Sequence, residues 1–421
     1  MMWLLHTSTG ELRRFDLNVW PVQYAILSHV WGAHEQSFQD IQTLQHNSEG
    51  LKGASPKIRD FCIFARNRGY EWCWADTCCI DKTSSAELSE AINSMFQWYQ
   101  SASLCVAYLA DVSETQDPHS PSSEFRSSLW FTRGWTLQEL IAPAEMLFVG
   151  RTWTVLGSKR ILGDLIEEIT GVDRVVLDDH DAYSEVPVAR RMSWAANRTT
   201  TRVEDEAYSL MGLFDVHMPT IYGEGRNAFI RLQEEILRRI PDQSIFTWGP
   251  RASGVDDIHG SVPEDHDPSE ATDSHHLLLA TSPASFARTG NIIPLSPEEL
   301  RQLLGLTQDQ FTMPQFNVTS YGMRAQLPII QLRKRGVFLA VLACTDAQGL
   351  LVALVLHPQR DPARSHLNAG RGKASPHTAS LLGVAGHRRT VSLTLDDSKN
   401  LSARMGDICI RHRQEIGRAH V

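Results

Sequence analysis

The feature that most constrains this chain is an alternation of hydrophobic periods between Tyr24 and Leu109. Tyr24-Ala25-Ile26-Leu27-Ser28 is a short apolar run with a polar stop, the pattern of a buried strand. Ile58, Phe61, Cys62 and Ala65 then recur at helical spacing and Gly69 closes the segment, which predicts an amphipathic helix over 56–68. A second strand is expected from Tyr70 to Ala75. Ser84 with Glu87 three residues later reads as a capping box, and Leu88, Ile92, Met95 and Tyr99 form one stripe of the helix it opens. Leu104 to Leu109 supplies a third strand. Strand, helix, strand, helix, strand in that order predicts a parallel sheet covered by helices.

The rest of the chain extends this unit and then changes character. Residues 113–128, rich in Ser, Pro and Asp, read as a surface loop. Trp135 to Ile141 is a short helix stopped by Pro143, and Glu145 to Val149 a fourth strand. A mostly helical region runs on to Ile240, ending in a stripe of Phe229, Leu232, Ile236 and Ile240. Residues 1–250 are therefore read as one α/β domain with a helical extension. From 251 to 276 there are seven acidic residues, one arginine and scattered Gly, Pro and Ser, which reads as an acidic flexible linker. Short β-like runs follow at 277–281, 326–332, 337–344, 350–356 and 390–395, so 277–414 is expected to be a smaller β-rich accessory domain. Residues 415–421 look like the translation of a sequencing adapter.

Composition narrows the function classes. A formal charge of −9 argues against a general nucleic-acid binder, which needs a basic face. The most apolar stretch, Val337 to Leu356, is broken by Thr345-Asp346-Ala347-Gln348-Gly349 and reads as two strands around a turn, not a membrane span. The apolar start is too short for a secretory signal. The seven cysteines lie mostly in apolar runs and are read as reduced, buried side chains, which places the chain in the cytoplasm.

Several constellations could carry chemistry. Ser28, His29 and Trp31 follow the first strand, and ligands bind at the carboxyl ends of parallel strands, although a packed Trp with a capping His is the plainer reading. Asp76 and Asp81 flank the end of the second strand, placed to bind a ribose hydroxyl or a cation, or equally to cap a helix or pair with arginine. Cys73, Cys78 and Cys79 lack zinc spacing, so no metal is expected. In Arg133-Gly134-Trp135-Thr136-Leu137-Gln138-Glu139-Leu140, a carboxylate sits in a short apolar helix beside Trp, where burial raises its pKa and suits it to acid/base work; the structural alternative is a Glu139–Arg133 salt bridge. Gly223 and Gly225 open a helix and offer either a phosphate site or a tight turn, the turn being favoured for want of a preceding strand.

Taken together these segments resemble the fungal heterokaryon incompatibility (HET) domain family. The matching blocks are Trp3-Leu4-Leu5, Ala25-Ile26-Leu27-Ser28-His29 with Trp31-Gly32, Trp74 to Lys82, Ser84 to Met95, Arg133 to Leu140, and Tyr222-Gly223-Glu224-Gly225. The resemblance implies a role in vegetative incompatibility, in which non-self recognition at hyphal fusion triggers growth arrest or cell death. It implies other incompatibility or receptor proteins, or further copies of the chain, as partners. The HET fold is also similar to TIR domains, whose NAD-cleaving members carry a catalytic glutamate in a Trp-x-x-x-Glu-Leu motif. Trp135-Thr136-Leu137-Gln138-Glu139-Leu140 fits that form, which implies a TIR/flavodoxin-like sheet, Glu139 as catalytic residue, and NAD as substrate with no resident cofactor. Ser28, His29, Trp31, Asp76, Asp81, Arg133 and Trp135 would then border the nucleotide. Two readings follow: an NAD or nucleotide hydrolase, and a signalling adaptor that acts by assembling with partners while Glu139 is structural. A Cys/His hydrolase ranks last.

Overall fold

In the computed structural model, β1 (Met2–His6) and β2 (Leu12–Phe15) form an antiparallel hairpin with Leu5 opposite Leu12. The structure describes residues 1–16, 22–47, 50–258, 278–319, 322–332, 336–358, 381–384, 389–394, 397 and 403–410. All six residues of β3 (Tyr24–His29) are buried, as a strand covered on both faces must be. α1 (Phe38–His46) opens on a capping box between Ser37 and Asp40. In α2 (Pro56–Arg66) Pro56 occupies the first turn, where its missing N–H costs nothing. That helix buries Ile58, Phe61, Cys62 and Ala65, the stripe expected from the sequence. Then come β4 (Trp72–Trp74), α3 (Ser85–Ser101) and β5 (Leu104–Tyr108). Only half of the expected capping box forms at α3. Ser84 Oγ accepts from Glu87 N at 3.3 Å, while the Glu87 carboxylate turns to Asp81 N at 3.4 Å.

α4 (Thr136–Ile141) and β6 (Met146–Val149) follow as expected. The segment before them is anchored by the buried Phe125, whose ring packs on Phe131 and Phe148. β7 (Val155–Ser158) turns back antiparallel on β6, a strand at the start of the region read as helical. α5 (Gly163–Thr170), α6 (Arg174–Asp178), α7 (Val188–Ala195), α8 (Asp205–Tyr208) and α9 (Asn227–Arg239) make up the rest of it.

Among the described residues the first sheet has seven strands in the order β2-β1-β4-β3-β5-β6-β7. Only β4, β3, β5 and β6 are mutually parallel; the edges are antiparallel, so the sheet is mixed where the sequence suggested a parallel one. Numbered by sequence, the parallel strands run 2-1-3-4, the flavodoxin-like order. The chain moves from β3 outward to β4 and then back across β3 to β5. This reversal makes the carboxyl ends of β3 and β5 the topological switch point, the place where doubly wound folds bind ligands.

By its contacts the chain divides into two units, 1–186 with 197–228, and 187–196 with 229–421. The second unit holds β8 (Arg251–Ala252), β9 (Ile293–Pro294), α10 (Pro297–Leu303), β10 (Gln315–Thr319), β11 (Gly322–Leu332), β12 (Val337–Thr345), β13 (Leu351–Pro358), β14 (Leu381–Val384), β15 (Thr390–Leu393) and β16 (Arg404–Ile410). β13-β14-β16-β11-β12 pair in succession, and β12 pairs back with β13, so these five strands close into a ring. The expected β12–β13 hairpin turns at Asp346, whose carboxylate accepts from Gln348 N and Leu350 N, both at 3.0 Å.

Two expectations change here. Residues 251–258 fall within the expected flexible linker, yet β8 pairs with β15, and Ala252 and Ile258 are buried in the second core; residues 259–276 lie outside the described residues. The strand expected at 277–281 is absent over 278–281. The side-chain amide of Gln233 takes the place of a neighbouring strand there, accepting from Ala280 N at 3.0 Å and donating to Ala280 O at 2.7 Å. The adapter-like tail also lies outside the described residues.

Candidate functional site

Adjacent side chains on a strand face opposite ways, so the end of β3 sends Ser28 and His29 into two different environments. Ser28 faces α4, which packs against β3 and α3. Its hydroxyl donates to Glu139 Oε2 at 2.5 Å and accepts from Trp130 Nε1 at 2.8 Å. Tyr99, on α3, is buried beside them and donates to Leu27 O at 2.9 Å. Burial pushes the Glu139 carboxyl up to about 8; the hydrogen bond from Ser28 opposes this, and the nearby charge of Asp76 adds to it. The group is therefore protonated at neutral pH.

The cation beside Glu139 is Arg198, not Arg133. Arg133 donates to Thr201 Oγ1 at 2.9 Å, so the salt bridge weighed from the sequence does not form. Instead Gly134 N donates to Thr199 O at 2.9 Å and Thr199 N to Thr132 O at 2.7 Å, a parallel bridge that carries Arg198 to the start of α4. A Cβ on Gly134 would lie 2.4 Å from Thr200 Cγ2, so any larger residue here would force the Thr200 side chain to move. Arg198 donates to Arg133 O at 2.9 Å and Thr136 Oγ1 at 3.0 Å. Burial lowers its guanidinium to about 9, with Glu139 pulling the other way. No spacing rule in the sequence links Arg198 to Glu139. Lys159 grips the other end of α4, donating to Leu140 O at 3.3 Å and to Pro143 O, the interaction of a cation with a helix carboxyl end.

His29 turns to Asp76, just beyond β4. Lys57 Nζ lies 3.1 Å from His29 Nδ1, and an ammonium has no lone pair, so Nδ1 accepts and Nε2–H donates to Asp76 Oδ1 at 3.1 Å. Trp31 Nε1 donates to the other oxygen, Asp76 Oδ2, at 2.8 Å. Against the penalty of burial, the His29 hydrogen bond, the positive charge of Lys82 and the Trp31 N–H hold Asp76 below the usual carboxylate range. Glu35 completes the cluster, accepting from Lys57 Nζ at 2.5 Å.

The remaining sequence candidates sit elsewhere. Asp81 accepts from Gln39 Nε2 at 2.6 Å and from Thr83 N at 3.0 Å, which makes it a turn residue ahead of α3. Trp135 hydrogen-bonds the Asp205 carboxyl, which also accepts from Tyr222 Oη at 3.0 Å. The glycine turn at 223–225 holds one of the chain's own carboxylates: Glu204 Oε1 accepts from Gly223 N at 2.8 Å and Gly225 N at 3.0 Å. The structure thus brings together Ser28 with Glu139, and His29 and Trp31 with Asp76. Asp81, Arg133 and Trp135 make separate contacts.

Comparison with known proteins bears on this arrangement. Residues 24–122 match the family model described as heterokaryon incompatibility protein (HET), and residues 227–405 match a domain of unknown function (DUF8212). Over 220 residues the chain is 46% identical to vegetative incompatibility protein HET-E-1 of Podospora anserina. That match covers 51% of this chain and 16% of the relative. No solved structure matches the chain. The HET match includes Ser28, His29, Trp31, Asp76 and Asp81 and ends before Glu139.

Proposed function

We propose that this chain, which carries a HET domain, is an effector of fungal vegetative incompatibility that cleaves the N-glycosidic bond of NAD or a related nucleotide. The observation that carries this reading is a pair of carboxyl groups whose environments drive their pKa values apart. Glu139 is raised to about 8 and Asp76 is held low, both at the carboxyl ends of the parallel strands. Such divergence is the pattern of sites that assign distinct roles to two acids. In the reaction the bond between ribose C1′ and the nicotinamide nitrogen breaks with its electron pair leaving on nicotinamide. Water then adds to C1′ and releases a proton. Positive charge develops on the ribose, and Glu139 stabilises it in the fraction of molecules where it is ionised, a fraction that grows as pH rises through about 8. Asp76, held by His29 and Trp31, is placed to accept from a ribose hydroxyl. The chain would act in the cytoplasm, alone or with other incompatibility proteins.

A second reading, an adaptor that works by assembly, is favoured by one specific observation. Glu139 is only 7% exposed and already accepts from Ser28. Expressing the full chain while following cell growth and NAD separates the two. Under the hydrolase reading NAD falls in wild type and holds steady in Glu139→Gln, and the purified enzyme's rate rises with pH through about 8 as Glu139 ionises. Growth arrest with unchanged NAD in both forms would establish the adaptor.

A further inference from the structure

Trp31 stands apart from the other tryptophans at the sheet end. Trp130 is fully buried, whereas the Trp31 indole is 54% exposed yet held on two sides. Its Nε1 donates to Asp76 Oδ2 at 2.8 Å, and Lys82 Nζ lies 3.8 Å from the ring centroid. Asp76 is fixed in turn by His29, and His29 by Lys57. An exposed indole normally keeps its rotamer freedom, and immobilising it leaves a flat apolar face in water at an entropic cost. The hydrophobic effect alone would bury it. A rigid open ring backed by an ammonium and fixed by a carboxylate is instead the arrangement that stacks a heterocyclic base.

We propose that Trp31 is the base-stacking platform of the site, taking the adenine ring of an adenine nucleotide on its open face, with Lys82 behind the ring. Adenine is favoured over a cationic ring such as nicotinamide, because the ammonium of Lys82 already lies over the indole and repels a second positive charge. The inference rests on the nucleotide reading above and names the half of the substrate that this end of the site holds.

The test is equilibrium binding of ADP-ribose to the purified full chain by calorimetry, a probe with no nicotinamide bond to cleave. Trp31→Ala is expected to weaken binding about tenfold or more, the size of one lost base-stacking contact. Trp31→Phe, which keeps a ring but loses the Asp76 hydrogen bond, should fall between. Melting curves recorded alongside, with binding read well below the lower midpoint, separate lost binding from lost folding. Wild type that fails to bind ADP-ribose, or Trp31→Ala that binds as well as wild type, overturns the proposal. The NAD assay is independent: Trp31-dependent binding without NAD loss sustains the platform and defeats the hydrolase, and Glu139-dependent NAD loss with Trp31-independent binding does the reverse.

Discussion

Glu139 carries a consequence that holds whether or not it meets a substrate. A carboxyl whose folded pKa is about 8 stays protonated in the folded state while its unfolded counterpart ionises near 4.5. Below the lower value both states are neutral and stability is fully present. As pH rises toward the upper value, only the unfolded state gains by ionising, so stability is lost across that window at about 1.4 kcal/mol per pH unit. Glu139→Gln cannot ionise, yet it keeps a carbonyl to accept from Ser28. The variant should therefore match wild type near pH 4.5 and become progressively more stable than it up to about pH 8, as read from urea midpoints. Parallel curves for the two proteins over this range would mean that Glu139 is ionised in the folded state. The same residue marks the limit of the sequence. Its place beside aromatic rings was legible from the Trp135-to-Leu140 pattern, but the indole in contact with its partner Ser28 is Trp130, and its cation is Arg198. Both follow from how segments distant in sequence meet.

At the scale of elements, the alternation from Tyr24 to Leu109 was legible because each strand and helix carries its own period and cap. Ser84 with Glu87 marks a start that the structure keeps. What periodicity cannot encode is pairing between strands far apart: the antiparallel edges of the first sheet and the closure of the second through β14 and β16 depend on register chosen at a distance. Close approach between elements is similarly silent in sequence until a glycine reveals it. Gly212 lies against α3, where an added Cβ would come within 2.1 Å of the Cβ of Phe96. Neither atom can rotate away, since each is bonded to backbone. Gly212→Ala should thus push the segment off α3 and cost about 2 kcal/mol, within the range for overpacked cores. A loss below about 0.5 kcal/mol in denaturant unfolding would show that α3 shifts freely to make room.

For the whole molecule, the position of the boundary decides which pieces can stand alone. A break after residue 250 was the natural cut from composition, because the acidic stretch begins there. The structure assigns α9 from Phe229 onward and the segment after it to the second unit, along with α7, so the chain enters that unit, leaves it and returns. Phe229 packs its ring against Phe286, and Phe246 against Phe316. Trp248 donates to Leu278 O at 3.1 Å and lies under Arg389 at 3.5 Å from its ring. Gln243 accepts from Ala343 N at 2.8 Å. A fragment ending at 250 keeps every strand of the first sheet but strips these side chains of their partners, leaving buried aromatics exposed as a contiguous apolar patch. We expect residues 1–250 to bind a hydrophobic dye such as ANS strongly and to self-associate, while the full chain does neither. Removing 229–250 as well should reduce the dye signal without abolishing it, because α7 remains unpartnered. A monomeric 1–250 fragment with no dye binding would place the boundary at the acidic stretch after all.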